Sequence, residues 1–116
     1  MKLLQACCVA TLLFAGCSKR QVHALGGVVI GDPVTVAGTK EIDSGTRVLL
    51  RGTMTKKCPV AGCWFMLTDE TGTIKVDLKN SEFVVVDVPL KSKMVVAGYL
   101  ATNETDRVLE ATGLQF

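Results

Sequence analysis

Apolar and polar residues alternate strictly from Thr73 to Lys79: Ile74, Val76 and Leu78 fall on one face, and Lys75, Asp77 and Lys79 on the other. A period of two is that of a strand with one side on a core and the other in water. Four more runs rich in β-branched, aromatic or other apolar residues, at 47–54, 63–67, 94–100 and 108–114, suit a pleated surface. Gly52 predicts a bulge or bend in the first of the five. Thr68-Asp69-Glu70-Thr71-Gly72 predicts a hairpin between the second and third, and Asn103-Glu104-Thr105-Asp106 a turn between the fourth and fifth. Asn80-Ser81-Glu82 predicts a short helical turn around Phe83, between the third and fourth strands, which Val84-Val85-Val86 keeps from extending. Before the first long strand, Val34-Thr35-Val36 reads as a short edge segment and Ser44-Gly45 as a turn. The fold class is all-β.

The amino-terminal pattern is different. Met1-Lys2 precedes a short apolar stretch ending in Ala15-Gly16-Cys17. A charged start, a short apolar core and small residues before a break make a secretory signal, and the run is too short to span a bilayer comfortably. Small residues directly before a cysteine resemble the lipobox of bacterial lipoproteins. That resemblance implies cleavage before Cys17 and a lipid on its sulfur, with Ser18, rather than Asp, favouring the outer membrane over the inner. The chain then divides into a signal at 1–16, a lipidated cysteine and flexible tether at 17–31, and a barrel domain at 32–116. His23, the single histidine, falls in the tether, either as a solvated linker residue or as a metal ligand that the tether swings onto the domain.

Charge and size narrow the function. The 116 residues carry 13 Lys and Arg against 11 Asp and Glu, interspersed along the chain. Nucleic-acid binding is therefore not expected, since it needs a basic stripe, and aromatic residues are too few for a stacking platform. About a hundred processed residues make one core without a large substrate cavity. No phosphate loop, Ser/His/Asp set or glycosidase-like carboxylate pair is evident. Asp69-Glu70 is turn chemistry, and an enzyme is not expected.

Chemistry concentrates in the segment from Cys58 to Met66. Once Cys7 and Cys8 leave with the signal and Cys17 takes the lipid, Cys58 and Cys63 form the remaining pair. Three readings stay open. A structural disulfide staples the end of the first strand to the start of the second, with Pro59 and Gly62 turning the chain. A redox dithiol is the second, without Cys-x-x-Cys spacing or a thioredoxin-like βαβ pattern to support it. The third is a soft-metal site: Cys58, Cys63 and Met66, with Met54 on the adjoining strand, supply the sulfurs that select Cu(I). Zinc fits less well, because its tetrahedral shell is incomplete without nearby His, Asp or Glu. Trp64 and Met66 share a face of the second strand, as core packing or as neighbours of such an ion.

Five strands with a glycine bend in the first, a hairpin between the second and third and an irregular link before the fourth match a small Greek-key barrel of the OB type. From Arg47 to Phe116 the chain resembles the small, functionally uncharacterised OB-fold proteins of bacterial cell envelopes. Cys58, Gly62, Cys63, Trp64 and the turn from Asp69 to Gly72 carry that resemblance. It implies the fold more than the function. A weaker similarity, carried by Trp64 and Met66, is to the periplasmic copper- and silver-binding OB chaperone of tripartite efflux systems; the upstream histidine of that family is replaced by Cys58 or the distant His23. The expectation is a lipid-anchored envelope module that binds a protein partner and is stapled by Cys58 and Cys63, with Cu(I) binding as the alternative.

Overall fold

The computed structural model describes residues 22–103 and 106–116. The signal at 1–16, Cys17 and the start of the tether lie outside the described residues. Seven strands form, β1 (Ala24–Gly26), β2 (Pro33–Val34), β3 (Arg47–Lys57), β4 (Trp64–Asp69), β5 (Gly72–Asp77), β6 (Lys93–Asn103) and β7 (Asp106–Gln115), with one 3-10 helix at Ala37–Glu41. The five long strands close on themselves. β4 lies between β3 and β5, β5 pairs with β7 in parallel, β7 with β6, and β6 with β3. That closed order, with one parallel seam, is the five-stranded OB barrel.

Alternation sets the inside. Phe65 and Leu67 of β4, Ile74 and Val76 of β5, Leu50 and Met54 of β3, Val96 and Leu100 of β6 and Leu109 and Leu114 of β7 are buried in one cluster. Trp64 and Met66 alternate with Phe65 and Leu67 and stand on the outer face of β4, half-buried. The register of β3 shifts between Met54 and Lys56, a bulge at Thr55 rather than at Gly52. Gly52 answers a different demand: a Cβ there would stand 2.6 Å from the Thr68 carbonyl oxygen.

Both barrel ends are plugged. At one, the 3-10 helix is tied to the β4–β5 hairpin, where Asp69 Oδ2 accepts from Val36 N–H at 2.9 Å and Thr71 Oγ1 from Ala37 N–H at 2.9 Å. Asp69 Oδ1 meanwhile accepts from Thr71 N–H at 2.8 Å, Thr71 Oγ1 at 2.6 Å and Gly72 N–H at 3.1 Å, which builds the turn itself. At the other end, Val85 and Val88 of the link between β5 and β6 turn inward and are buried. Lys57 Nζ fastens this link, donating to the carbonyls of Val85 at 3.3 Å, Val86 at 3.0 Å and Val88 at 2.5 Å.

Two expectations need correction. Where a helical turn is expected around Phe83, the chain makes turns and irregular structure, because Val85 N–H is committed to the Gly62 carbonyl and the valines pack inward singly. The tether expected to run to residue 31 is part of the fold from His23 onward. Ala24–Gly26 pairs with Gly113–Gln115 of β7, Gly27 N–H donates to Thr112 O at 2.7 Å, and the Arg47 guanidinium reaches the carbonyls of Ile30 and Val28 at 3.2 and 3.3 Å.

Candidate functional site

The loop from Cys58 to Cys63 folds back because β3 and β4 are adjacent and Gly62 takes a left-handed conformation with φ of 63°. Cys58 N–H donates to Trp64 O at 3.0 Å, and the Cys63 carbonyl accepts from Leu78 N–H at 2.9 Å. Both cysteines are free and half-buried, and the Cys63 thiol donates to the Cys58 sulfur across 3.7 Å. Their acidities diverge. Backbone N–H groups of Ala61, then Val60 and Cys63, face the Cys58 sulfur and lower its pKa to about 6. The Cys63 thiol is pushed up, first by its hydrogen bond to Cys58, then by desolvation and the charges of Cys58 and Asp77. A thiolate beside a thiol results, a pair able to close into a disulfide or to hold a soft cation.

Other residues proposed from sequence separate from this pair. Met54, expected as a further sulfur on the adjoining strand, is fully buried in the barrel opposite Leu67, whereas Met66 stands on the outer face, so the two do not converge. His23 is no swinging ligand: its ring stacks on Phe116 at 5.0 Å, and its backbone exchanges hydrogen bonds with Phe116 at 2.8 and 2.9 Å. Among the described residues no three His, Cys, Asp or Glu side chains gather as a metal site.

Trp64 and Met66 belong instead to an outer surface of the barrel. Across the β4–β5 ladder Trp64 faces Asp77 and Met66 faces Lys75, and Lys75 Nζ sits 5.5 Å from the centre of a Trp64 ring. Met66 and Lys75 continue into a groove of about 710 Å³ between β4, β5, the start of β7 and the 3-10 helix, with Lys40 and Arg107 on its walls. That volume is typical of small-ligand pockets. Asp69 and Thr71 of the β4–β5 hairpin fix the start of the helix beside the groove, and Arg107 of β7 holds its other end through the Ile42 carbonyl. Sequence reasoning misses Lys40 and Arg107, since neither stands in a motif; Lys75 is legible only as a solvent-facing strand residue.

A closed five-stranded barrel with an open, mixed apolar and basic face along its second and third long strands defines the chain as an OB-fold protein. Residues 19–115 match the model of the bacterial OB fold (BOF) protein family, and the chain belongs to that family. Among solved structures it is similar to the hypothetical protein ygiW from E. coli, with a TM-score of 0.59 and 21% identity over 72% of this chain and 88% of that one, a likeness of fold. No curated protein matches the sequence.

Proposed function

We propose that the protein is an exported binding module of the bacterial cell envelope, lipid-anchored through Cys17 and facing the periplasm from the outer membrane. It takes a protein partner on the outer face of β4 and β5 and acts by binding, not by catalysis. The observation that carries this reading is the face itself: Trp64, Met66 and Lys75 stand half-buried on a closed barrel beside a groove of about 710 Å³. A half-exposed Trp with an apolar neighbour and a flanking cation has the composition of an interface centre. Cys58 and Cys63 serve as its staple. In the oxidised protein their short ring stabilises the domain by about 2 kcal/mol on the chain-entropy model.

The test is site-directed crosslinking in cells. A photoreactive residue at Thr73, on the groove, yields an adduct of one defined size, and one at Tyr99, exposed on β6, yields none. Equal adducts from both positions, or none from Thr73, would remove the reading. Cys17→Ala is expected to move the protein from the membrane to the soluble fraction. The protein isolated without reductant is expected to weigh two hydrogens less than its reduced form.

A second reading has its own support in the paired sulfurs and the acidic Cys58 thiol: a soft-metal protein that holds Cu(I) with Cys58, Cys63 and Met66, beside Trp64. Unchanged copper affinity after both cysteines become Ser would sink it.

A further inference from the structure

Arg107 opens β7 at the wall of the groove, and its guanidinium is half committed. Nη2 donates to the Ile42 carbonyl at 2.5 Å. Nη1 is screened from solvent and has no hydrogen-bond partner among the described residues. Buried polar groups are almost always paired, and an unpaired guanidinium N–H is among the costlier exceptions. Lys40 of the 3-10 helix and Lys75 of β5 line the same groove, against a single acidic lining residue, Asp106. Three cations less one carboxylate leave a local charge of +2 in a chain whose whole formal charge is also +2. Met66 and Val108 supply apolar walls between them. A concave site with apolar walls and a few convergent donors is built for a ligand with one charged group. Arginine presents a planar fork that matches the oxygens of phosphate and carboxylate.

We infer that the groove between the 3-10 helix, β5 and β7 binds the phosphate or carboxylate group of a ligand, with Arg107 as the central donor and Lys75 and Lys40 flanking it. The inference rests on the reading of this face as the binding face and names the chemistry that face accepts. It gives the 3-10 helix a role, since Asp69 and Thr71 hold Lys40 at the groove wall from the opposite hairpin.

Inorganic phosphate is the first probe, titrated into the labelled protein at constant ionic strength set with chloride and followed by NMR. The Arg107 side-chain N–H and the backbone amides around Lys75 are expected to shift along one saturable curve. Arg107→Gln raises the apparent Kd by about tenfold or more, the loss of one charge-assisted contact. Lys75→Gln and Lys40→Gln raise it less and, being on exposed or half-exposed side chains, leave the fold intact. Shifts that never saturate, that spread over all surface lysines, or that persist unchanged in Arg107→Gln overturn the inference. Vesicles of phosphatidylcholine with and without phosphatidylglycerol separate the two sources of the anion. Arg107-dependent sedimentation with the anionic vesicles places the oxyanion on a lipid headgroup, and its absence alongside phosphate binding places it on a soluble ligand; either keeps the site. Phosphate binding without a Thr73 crosslink removes the protein-partner reading alone. A Thr73 crosslink without phosphate binding removes this inference alone.

Discussion

Replacing Asp69 by Ala tests how the 3-10 helix is held. The carboxylate accepts four hydrogen bonds, from Val36 N–H, Thr71 N–H, Thr71 Oγ1 and Gly72 N–H, at 2.6 to 3.1 Å. In the variant the turn donors at Thr71 and Gly72 can turn to water, because the hairpin tip is solvent-exposed. Val36 cannot follow them so easily: its side chain is 6% exposed and packs in the core cluster. Leaving that one donor unpaired costs about 1–3 kcal/mol, and the lost turn bonds add about 1 kcal/mol more, so urea unfolding should report a loss of about 2–4 kcal/mol. Burial alone pushes the Asp69 carboxyl up, but the hydrogen bonds from Thr71, Val36 and Gly72 outweigh it and hold the carboxyl below its ordinary value of 3.8. The sign follows from the depressed folded pKa: this stabilisation is present above the unfolded value near 3.9 and disappears as pH falls through the lower folded value. The wild-type protein therefore loses stability across that acidic window, and the Ala variant has a flatter profile there. Amide exchange gives the local reading, with protection at Val36, Thr71 and Gly72 falling further than at the barrel strands. A variant that loses under about 0.5 kcal/mol, within the range of an ordinary surface substitution, and that keeps Val36 protected would refute the reasoning.

Gly62→Ala is expected to destabilise by several kcal/mol, because an added Cβ would stand 2.5 Å from Val86 N in a left-handed backbone, combining overpacking with strain; a thermal melt within a degree of wild type would argue against this. In the reduced protein, alkylation of Cys58 should rise with pH through a midpoint of about 6, while Cys63 reacts only above the ordinary thiol range. A shared midpoint near 8.5 would count against the backbone donors as the cause. Because the folded Cys58 pKa lies below its unfolded value, its contribution to the stability of the reduced fold is present in full above pH 9 and is lost as pH falls through about 6. Lys57→Met removes the ammonium that gathers three carbonyls of the β5–β6 link and should cost about 1–3 kcal/mol, with raised amide exchange confined to residues 84–88; unchanged exchange there would show that the buried valines alone hold the link.

The barrel strands are legible because each writes its own environment into its period. Ile74, Val76 and Leu78 cannot all be buried unless Lys75 and Asp77 face outward, and that information is local. What escapes the sequence is set by partners far along the chain. Ala24-Leu25-Gly26 has no period of its own and becomes a strand because β7 offers it Gly113–Gln115. The 3-10 helix has Val36 at its N-cap with no side-chain cap of its own and borrows Asp69, 33 positions away. The site shows the same division. Cys58 and Cys63 meet across a loop of four residues, and that meeting is visible in the spacing. Met54 reads equally well as a ligand or as core until the bulge at Thr55 and the pairing with Leu67 decide its face. Arg107 gains meaning only from the Ile42 carbonyl and the groove beside it.

The clasp between β1 and the end of β7 shortens a leash. A tether running from Cys17 to residue 31 would let the barrel roam about 50 Å from its attachment point, at roughly 3.5 Å per extended residue. With His23 fixed against Phe116, Cys17 lies six residues from the fold, a span that cannot exceed about 20 Å. Under the proposed lipid anchor, Cys17 would set altitude as well as address: the carboxyl-terminal rim of the barrel would stand within that span of the bilayer, and a ligand of the groove would be met at the membrane.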